Sequence, residues 1–124
     1  MAPSKKDGEF TVPHGIAVGD DRRVYVSDRF NRQIQVFDEN GVFLDKWPSG
    51  YCHSLSMSRD QHLWCYDGDH EQFIKYDLRG HIETVFGRYG DYPGATWGVH
   101  QIAADSEGNL YGAEVFGGRT QKFV

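Results

Sequence analysis

The stretch HGIAVGDDRRVYVSDRFNRQIQVFDENG, residues 14–41, decides the fold because the chain repeats it. HSLSMSRDQHLWCYDGDHEQFIKYDLRG, residues 53–80, aligns with it without a gap, and HQIAADSEGNLYGAEVFGGRTQKFV, residues 100–124, begins a third copy. Each copy opens on a histidine: His14, His53 and His100. A strand-like run starts at the same offset in each, at Val24, Leu63 and Leu110, and an acid closes it at Asp28, Asp67 and Glu114. A self-similar period of this length marks a repeat architecture, in which one supersecondary unit is stacked on the next.

Within a unit, short apolar runs such as GIAV, VYVSD, QIQVFD and VFLDKW are separated by polar or glycine-bearing turns. Four strands joined by such turns form an antiparallel meander. Several strands carry apolar groups on both faces, as in Val24, Tyr25 and Val26, which suits a sheet covered on either side. Four-stranded sheets repeated about every 40–50 residues predict a β-propeller. The expected fold is all-β: three four-stranded blades, the third truncated, forming a half-propeller that completes a six-bladed ring as a homodimer. The expected divisions are an N-terminal extension over residues 1–9 and a propeller over 10–124, with blades at about 13–49, 50–95 and 96–124. Residues 6–12, KDGEFTV, are expected to supply the missing outer strand across the junction.

Composition narrows the function classes. Thirteen Lys and Arg stand against 18 Asp and Glu, a net charge of −5, with no basic cluster. A nucleic-acid partner is excluded on that ground, since phosphate binding needs a concentrated positive face. No run approaches the ~20 apolar residues of a membrane span and no leader pattern is present, so the chain reads as cytoplasmic with no membrane partner. Two cysteines, Cys52 and Cys65, do not make a disulfide framework and read as reduced, buried thiols.

The inner strand of a propeller blade lines the central channel, so His14, His53 and His100 are expected to converge at one channel mouth. They are candidate metal ligands; the alternative is that each caps its own blade. Asp28, Asp67 and Glu114 read as caps of the turns that follow them. The DGDHE run, residues 67–71, lacks the spacing of a calcium loop. Arg29, Tyr89, Tyr92 and Trp97 are candidate ligand contacts, the last three lying in the longest insertion, residues 88–98, where contacts tend to concentrate.

PHGIAV, VYVSDRFNRQIQVFDENGVFLDKW, FGRYGDYPG and GNLYGAEVFGGRTQKF together resemble NHL repeats, and residues 10–124 resemble the C-terminal half of peptidyl-α-hydroxyglycine α-amidating lyase-like proteins. That resemblance implies a six-bladed propeller in which three histidines from alternate blades hold a catalytic zinc, with a tyrosine and an arginine acting on a carbinolamide. His14 and His100 fall on two of the ligand positions. The blades for the third ligand and the arginine are absent, the family's tyrosine follows an SDG motif in a blade that would precede this stretch, the nearest analogue here, SDRF, offers Phe30, which has no hydroxyl, and His53 occupies a blade where the lyase pattern requires no ligand. Dimerisation would pair His14 and His100 with His53 of a second copy. The expected function is therefore an NHL-type binding module with a histidine-lined channel, a possible zinc site and a small-molecule or peptide ligand; the alternative is a zinc-dependent carbon–nitrogen lyase, for which no catalytic residue is assigned.

Overall fold

The computed structural model describes residues 3–124, so Met1 and Ala2 of the expected extension lie outside the described residues. Eleven strands form three antiparallel sheets. The first contains β1 (Pro13–Val18), β2 (Val24–Asp28), β3 (Gln33–Phe37) and β4 (Phe43–Pro48), in that spatial order. The second contains β5 (Cys52–Met57), β6 (Leu63–Asp67), β7 (Gln72–Tyr76) and β8 (Ile82–Phe86). The third has three strands, β9 (Val99–Ala104), β10 (Leu110–Glu114) and β11 (Arg119–Phe123). The sheets are propeller blades, and the three form an open arc with no closed barrel.

The middle blade shows why strands carry apolar groups on both faces. Leu55, Cys65 and Ile74 lie opposite one another across β5, β6 and β7, as do Met57, Leu63 and Tyr76. This face packs on Tyr25, Ile34, Val36 and Trp47 of the first blade. One residue along each strand, the other face presents Ser54, Tyr66, Phe73 and Phe86. Tyr66 and Phe73 pack on Val99, Ile102 and Leu110 of the third blade. Burying each large apolar side chain contributes about 1.5–3 kcal/mol, so the two inter-blade cores dominate cohesion. Polar stitches lie between the inner strands: Ile102 N–H donates to Ser54 Oγ at 3.1 Å and Ala104 N–H to Ser56 Oγ at 2.9 Å.

One expectation changes here. Cys52 and Cys65 are joined as a disulfide between β5 and β6, with Cα atoms 5.9 Å apart, rather than standing as two thiols. Adjacent strands of one sheet bring them within the Cα separation a disulfide spans. The N-terminal segment lies along the first blade: Gly8 N–H donates to Gln35 Oε1 at 2.8 Å, Gln35 Nε2 donates to Glu9 O at 2.7 Å, and the Phe10 ring lies 5.8 Å from Phe37. Gln35 sits on the face of β3 that points away from blade two, and these bonds bury it completely. Toward the inner edge of that face Ile16 and Val18 remain 66% and 61% exposed.

The long connection before β9 is clamped to the third blade. Arg119 donates to the carbonyls of Asp91 and Ala95 at 2.9 and 2.8 Å, and Gln121 Nε2 donates to Ala95 O at 2.6 Å. The Gly98 amide is in turn held by Glu71 of the middle blade, at 3.0 Å.

Gly41 and Gly80 occupy equivalent turns between the third and fourth strands, with φ of +85° and +91°. In each turn an aspartate oxygen, from Asp38 or Asp77, accepts two backbone N–H groups. A Cβ at Gly41 meets nothing within 4 Å, whereas one at Gly80 would stand 2.5 Å from the buried Trp47 ring. Gly41→Ala is expected to cost about 1 kcal/mol, from backbone strain alone. Gly80→Ala should cost clearly more, because Trp47 must also move. Paired thermal melts check this; equal losses would mean that Trp47 yields freely.

Candidate metal and ligand site

All three repeat histidines sit on β-bulges. In the first blade Pro13 lies opposite Asp28 and Gly15 opposite Ser27, leaving His14 without a partner. In the second, Cys52 faces Asp67 and Ser54 faces Tyr66, which leaves His53. In the third, Val99 faces Glu114 and Gln101 faces Ala113, which leaves His100. A bulge takes one residue out of the pleat and re-aims its side chain, and here it does so at one position in every blade. The residue opposite the start of each bulge is the repeated acid.

Those acids do more than cap the turns that follow them. Asp28 is fully buried and accepts the amides of Thr11 and Val12 at 3.1 and 3.0 Å. Asp67 accepts the Tyr51 amide at 3.0 Å as well as that of Asp69. Val12 and Tyr51 each stand two residues before a histidine, so a buried carboxylate pins the approach to each bulge. In the third blade Glu114 is taken by Arg119 and Gln121, and Glu71 reaches across from the middle blade to the Gly98 amide, again two residues before the histidine.

The three imidazoles converge. Their candidate ligand atoms lie within 4.8 Å of one another, and ring centroids are 5.1 to 6.1 Å apart. All three come from one chain and from adjacent blades, so the pairing of His14 and His100 with His53 of a second copy is not needed to gather them. His14 Nδ1 lies 2.5 Å from the His53 carbonyl oxygen. A carbonyl only accepts, so Nδ1 carries the proton and Nε2 keeps its lone pair. His53 Nδ1 is buried with no hydrogen-bond partner. Burial first, then the charge of Arg29, then His14 and His100, bring the His53 pKa down to about 4. His53 is therefore neutral near pH 7, the form that ligates a metal. Gly68 leaves room for this ring: a Cβ there would land on His53 Nε2.

Beside the histidines lies an aromatic and cationic group. The Tyr51 ring stands 5.3 Å from His53, with the guanidinium of Arg29 5.0 Å and that of Arg32 5.1 Å from its centroid. Arg32 is paired with Asp69. Arg29 has no acidic partner among the described residues, and its Nε is buried without an acceptor. Tyr51 escapes a search of the sequence for repeated residues because it breaks the repeat: Val12 and Gly98 hold the corresponding place. Its signal was that break, an aromatic side chain two residues before a channel histidine.

Tyr89, Tyr92 and Trp97 are brought to the surface, 64%, 47% and 37% exposed. Trp97 lies 6.1 Å from Tyr89 and 6.1 Å from Phe116, while Tyr92 stands apart under Arg88. Tyr89, Trp97 and Phe116 form an exposed aromatic ledge. Phe116 and Val115, 68% and 61% exposed, belong to it and were not among the sequence candidates.

Comparison with known proteins agrees with the propeller-like fold. Residues 10–37 match the NHL repeat family model. A 40-residue stretch is 48% identical to Protein lin-41 of Caenorhabditis elegans, covering 32% of this chain and 4% of that protein. Among solved structures, selenomethionine-substituted virginiamycin B lyase from Staphylococcus aureus superposes with a TM-score of 0.69 at 17% identity, over 93% of this chain and 44% of that one. A catalytically inactive form of that enzyme with quinupristin gives 0.68 at 17% identity, over 90% and 40%. Hydrazine synthase of Kuenenia stuttgartiensis gives 0.67 at 14% identity, over 91% and 31%. The chain carries an NHL repeat in a propeller-like module and spans less than half of each of these proteins; at such identities the likeness concerns the fold.

If the buried carboxylates hold the bulges, removing one should be costly. Asp28→Ala leaves the Thr11 and Val12 amides without their acceptor, and a loss of about 2–3 kcal/mol is expected in urea unfolding. A loss below about 0.5 kcal/mol, the range of ordinary surface substitutions, would show that the anchor is dispensable.

Proposed function

We propose that this chain is an NHL-type propeller module whose channel mouth binds a divalent transition metal, zinc foremost, through His14, His53 and His100, and presents it to a small-molecule or peptide ligand. The observation that supports this most is the convergence of three bulged imidazoles, one of which, His53, has a buried nitrogen without a partner. Neutral imidazoles are the preferred nitrogen donors of zinc, and a set of three leaves a coordination position open. A bound zinc would polarise a ligand carbonyl or lower the pKa of a bound water. The reading is of binding rather than turnover, because the sequence identifies no general base. Zinc loading followed by dialysis and elemental analysis should give one zinc per chain. His53→Ala and His100→Ala are each expected to weaken the affinity by about a hundredfold or more. Wild-type protein that emerges metal-free overturns the reading.

We also propose that a second copy completes the ring. Propellers commonly close with four to eight blades, and this arc has three. The exposed Ile16 and Val18 at one end and the Ala103, Tyr111 and Ala113 face at the other are the surfaces that neighbouring blades would cover. Light scattering is expected to give twice the chain mass across a dilution series; a stable monomer at every concentration ends this proposal.

A further inference from the structure

We propose that the loop over residues 115–118 of one copy seats on the chain just before His14 of a second copy, so that the second copy supplies the missing side of the histidine mouth. This contact rests on the ring-closure reading, in which the third blade of one copy adjoins the first blade of the other. In each blade a loop of four residues follows the second strand, over 29–32, 68–71 and 115–118. The first two loops grip the next blade just before its histidine. Phe30 lies 5.9 Å from the Tyr51 ring, Arg32 stands over that ring at 5.1 Å, and the Ser49 amide donates to the Arg32 carbonyl at 2.8 Å. Glu71 takes the Gly98 amide at 3.0 Å, and the Thr96 hydroxyl donates to the Glu71 carbonyl at 3.1 Å. The third loop has no following blade in this arc to grip. The chain before His14 is held by its own blade, through Asp28.

What the third loop exposes fits that place. Val115 and Phe116 hold the repeat positions of Arg29 and Phe30, and Val12 holds that of Tyr51. Val115 and Phe116 are 61% and 68% exposed, so the loop presents an apolar tip. Facing it across the new seam are Val12, half-buried, and Pro13, exposed. Apolar anchors at the desolvated centre of a contact carry most of its affinity. The charges agree as well. On the open face of the third blade Lys122 lies opposite Tyr111, its Nζ 5.6 Å from the ring, and has no acidic partner among the described residues. Lys122 holds the repeat position of Val36, which packs in the core between blades one and two. At the new seam that position meets the outward face of the first blade, where Gln35 holds the Glu9 carbonyl and the Glu9 carboxylate has no cationic partner among the described residues. An unpaired cation thus opposes an unpaired anion, which fixes the register of the contact. A two-fold axis makes the contact twice, and the ring closes.

The test combines cross-linking with light scattering. A Pro13→Cys chain is co-refolded with a mass-tagged Phe116→Cys chain and treated with a short bis-maleimide. A cross-linked pair of one tagged and one untagged chain is expected, and neither variant alone should give a covalent dimer in comparable yield. Replacing Val115 and Phe116 together by Ser should weaken the dimer by about tenfold or more, read as a shift of the dilution at which the mass falls. Lys122→Glu should weaken it too, and adding Glu9→Lys to that variant should restore much of the loss, which a merely misfolded chain would not do. A wild-type dimer that gives no mixed cross-link, that is indifferent to the Val115 and Phe116 replacement, or that is not recovered by the charge exchange keeps the ring-closure reading and overturns this contact. A stable wild-type monomer at every concentration, with the apolar tip left to some other partner, overturns both.

Discussion

The arrangement depends on a carboxylate that holds the backbone two residues before each channel histidine. A strand of regular pleat would alternate its side chains between the two sheet faces and could not send the residue at its head toward the channel. The bulge does this, and it leaves amides on the approaching chain that the ladder no longer satisfies. Asp28 takes those of Thr11 and Val12, and Asp67 takes that of Tyr51. Buried donors left open would cost about 1–3 kcal/mol each, so acid and bulge are coupled: neither is stable without the other. The third blade keeps the bond and changes its source, using Glu71 of the preceding blade for Gly98. That exchange frees Glu114 to receive Arg119 and Gln121, which hold the long connection down.

The blades were legible in the sequence because propeller packing writes itself as a period: each unit must repeat its apolar positions to bury two faces. The turn glycines were legible for a similar reason, since Gly41 and Gly80 stand in equivalent places and both take positive φ. The repeated acids were visible as a pattern, but reading them as turn caps found only part of their role; for Asp28 and Asp67 the rest lies in bonds to segments 16–17 residues away in sequence. What could not be read was anything that breaks the repeat. Tyr51 replaces a valine or glycine, Glu71 bonds across a blade boundary, and the disulfide of Cys52 and Cys65 joins positions with no equivalents in the other blades. The N-terminal segment likewise has no repeat to align with, and it is attached to the first blade through Gln35, Asp28 and Asn31.

The same division between repeat and exception separates scaffold from chemistry. Residues that recur, the core aromatics, the turn glycines and the strand acids, are occupied in holding blades together, and their polar atoms are nearly all bonded. The three histidines recur too, yet their nitrogens are not consumed by the scaffold in equal measure. His14 spends Nδ1 on the next blade's backbone, His53 keeps a buried nitrogen unbonded, and His100 is open to solvent. Three copies of one position have thereby come to stand in three different environments.

A propeller mouth built this way separates affinity from architecture. Changes at Tyr51, Arg29 or the Tyr89–Trp97–Phe116 ledge alter what faces the mouth without touching either inter-blade core, because these side chains stand on turns and connections rather than in the packed strands. The imidazoles differ: each is tied to a bulge, each bulge to a carboxylate, and each carboxylate to the packing of a neighbouring strand. Substitution should therefore be tolerated around the histidines far more readily than at the acids that aim them. The electrostatics follow the same logic. Burial and the charge of the uncompensated Arg29 together keep His53 neutral, so that ring adds no second positive charge beside the arginine at the mouth.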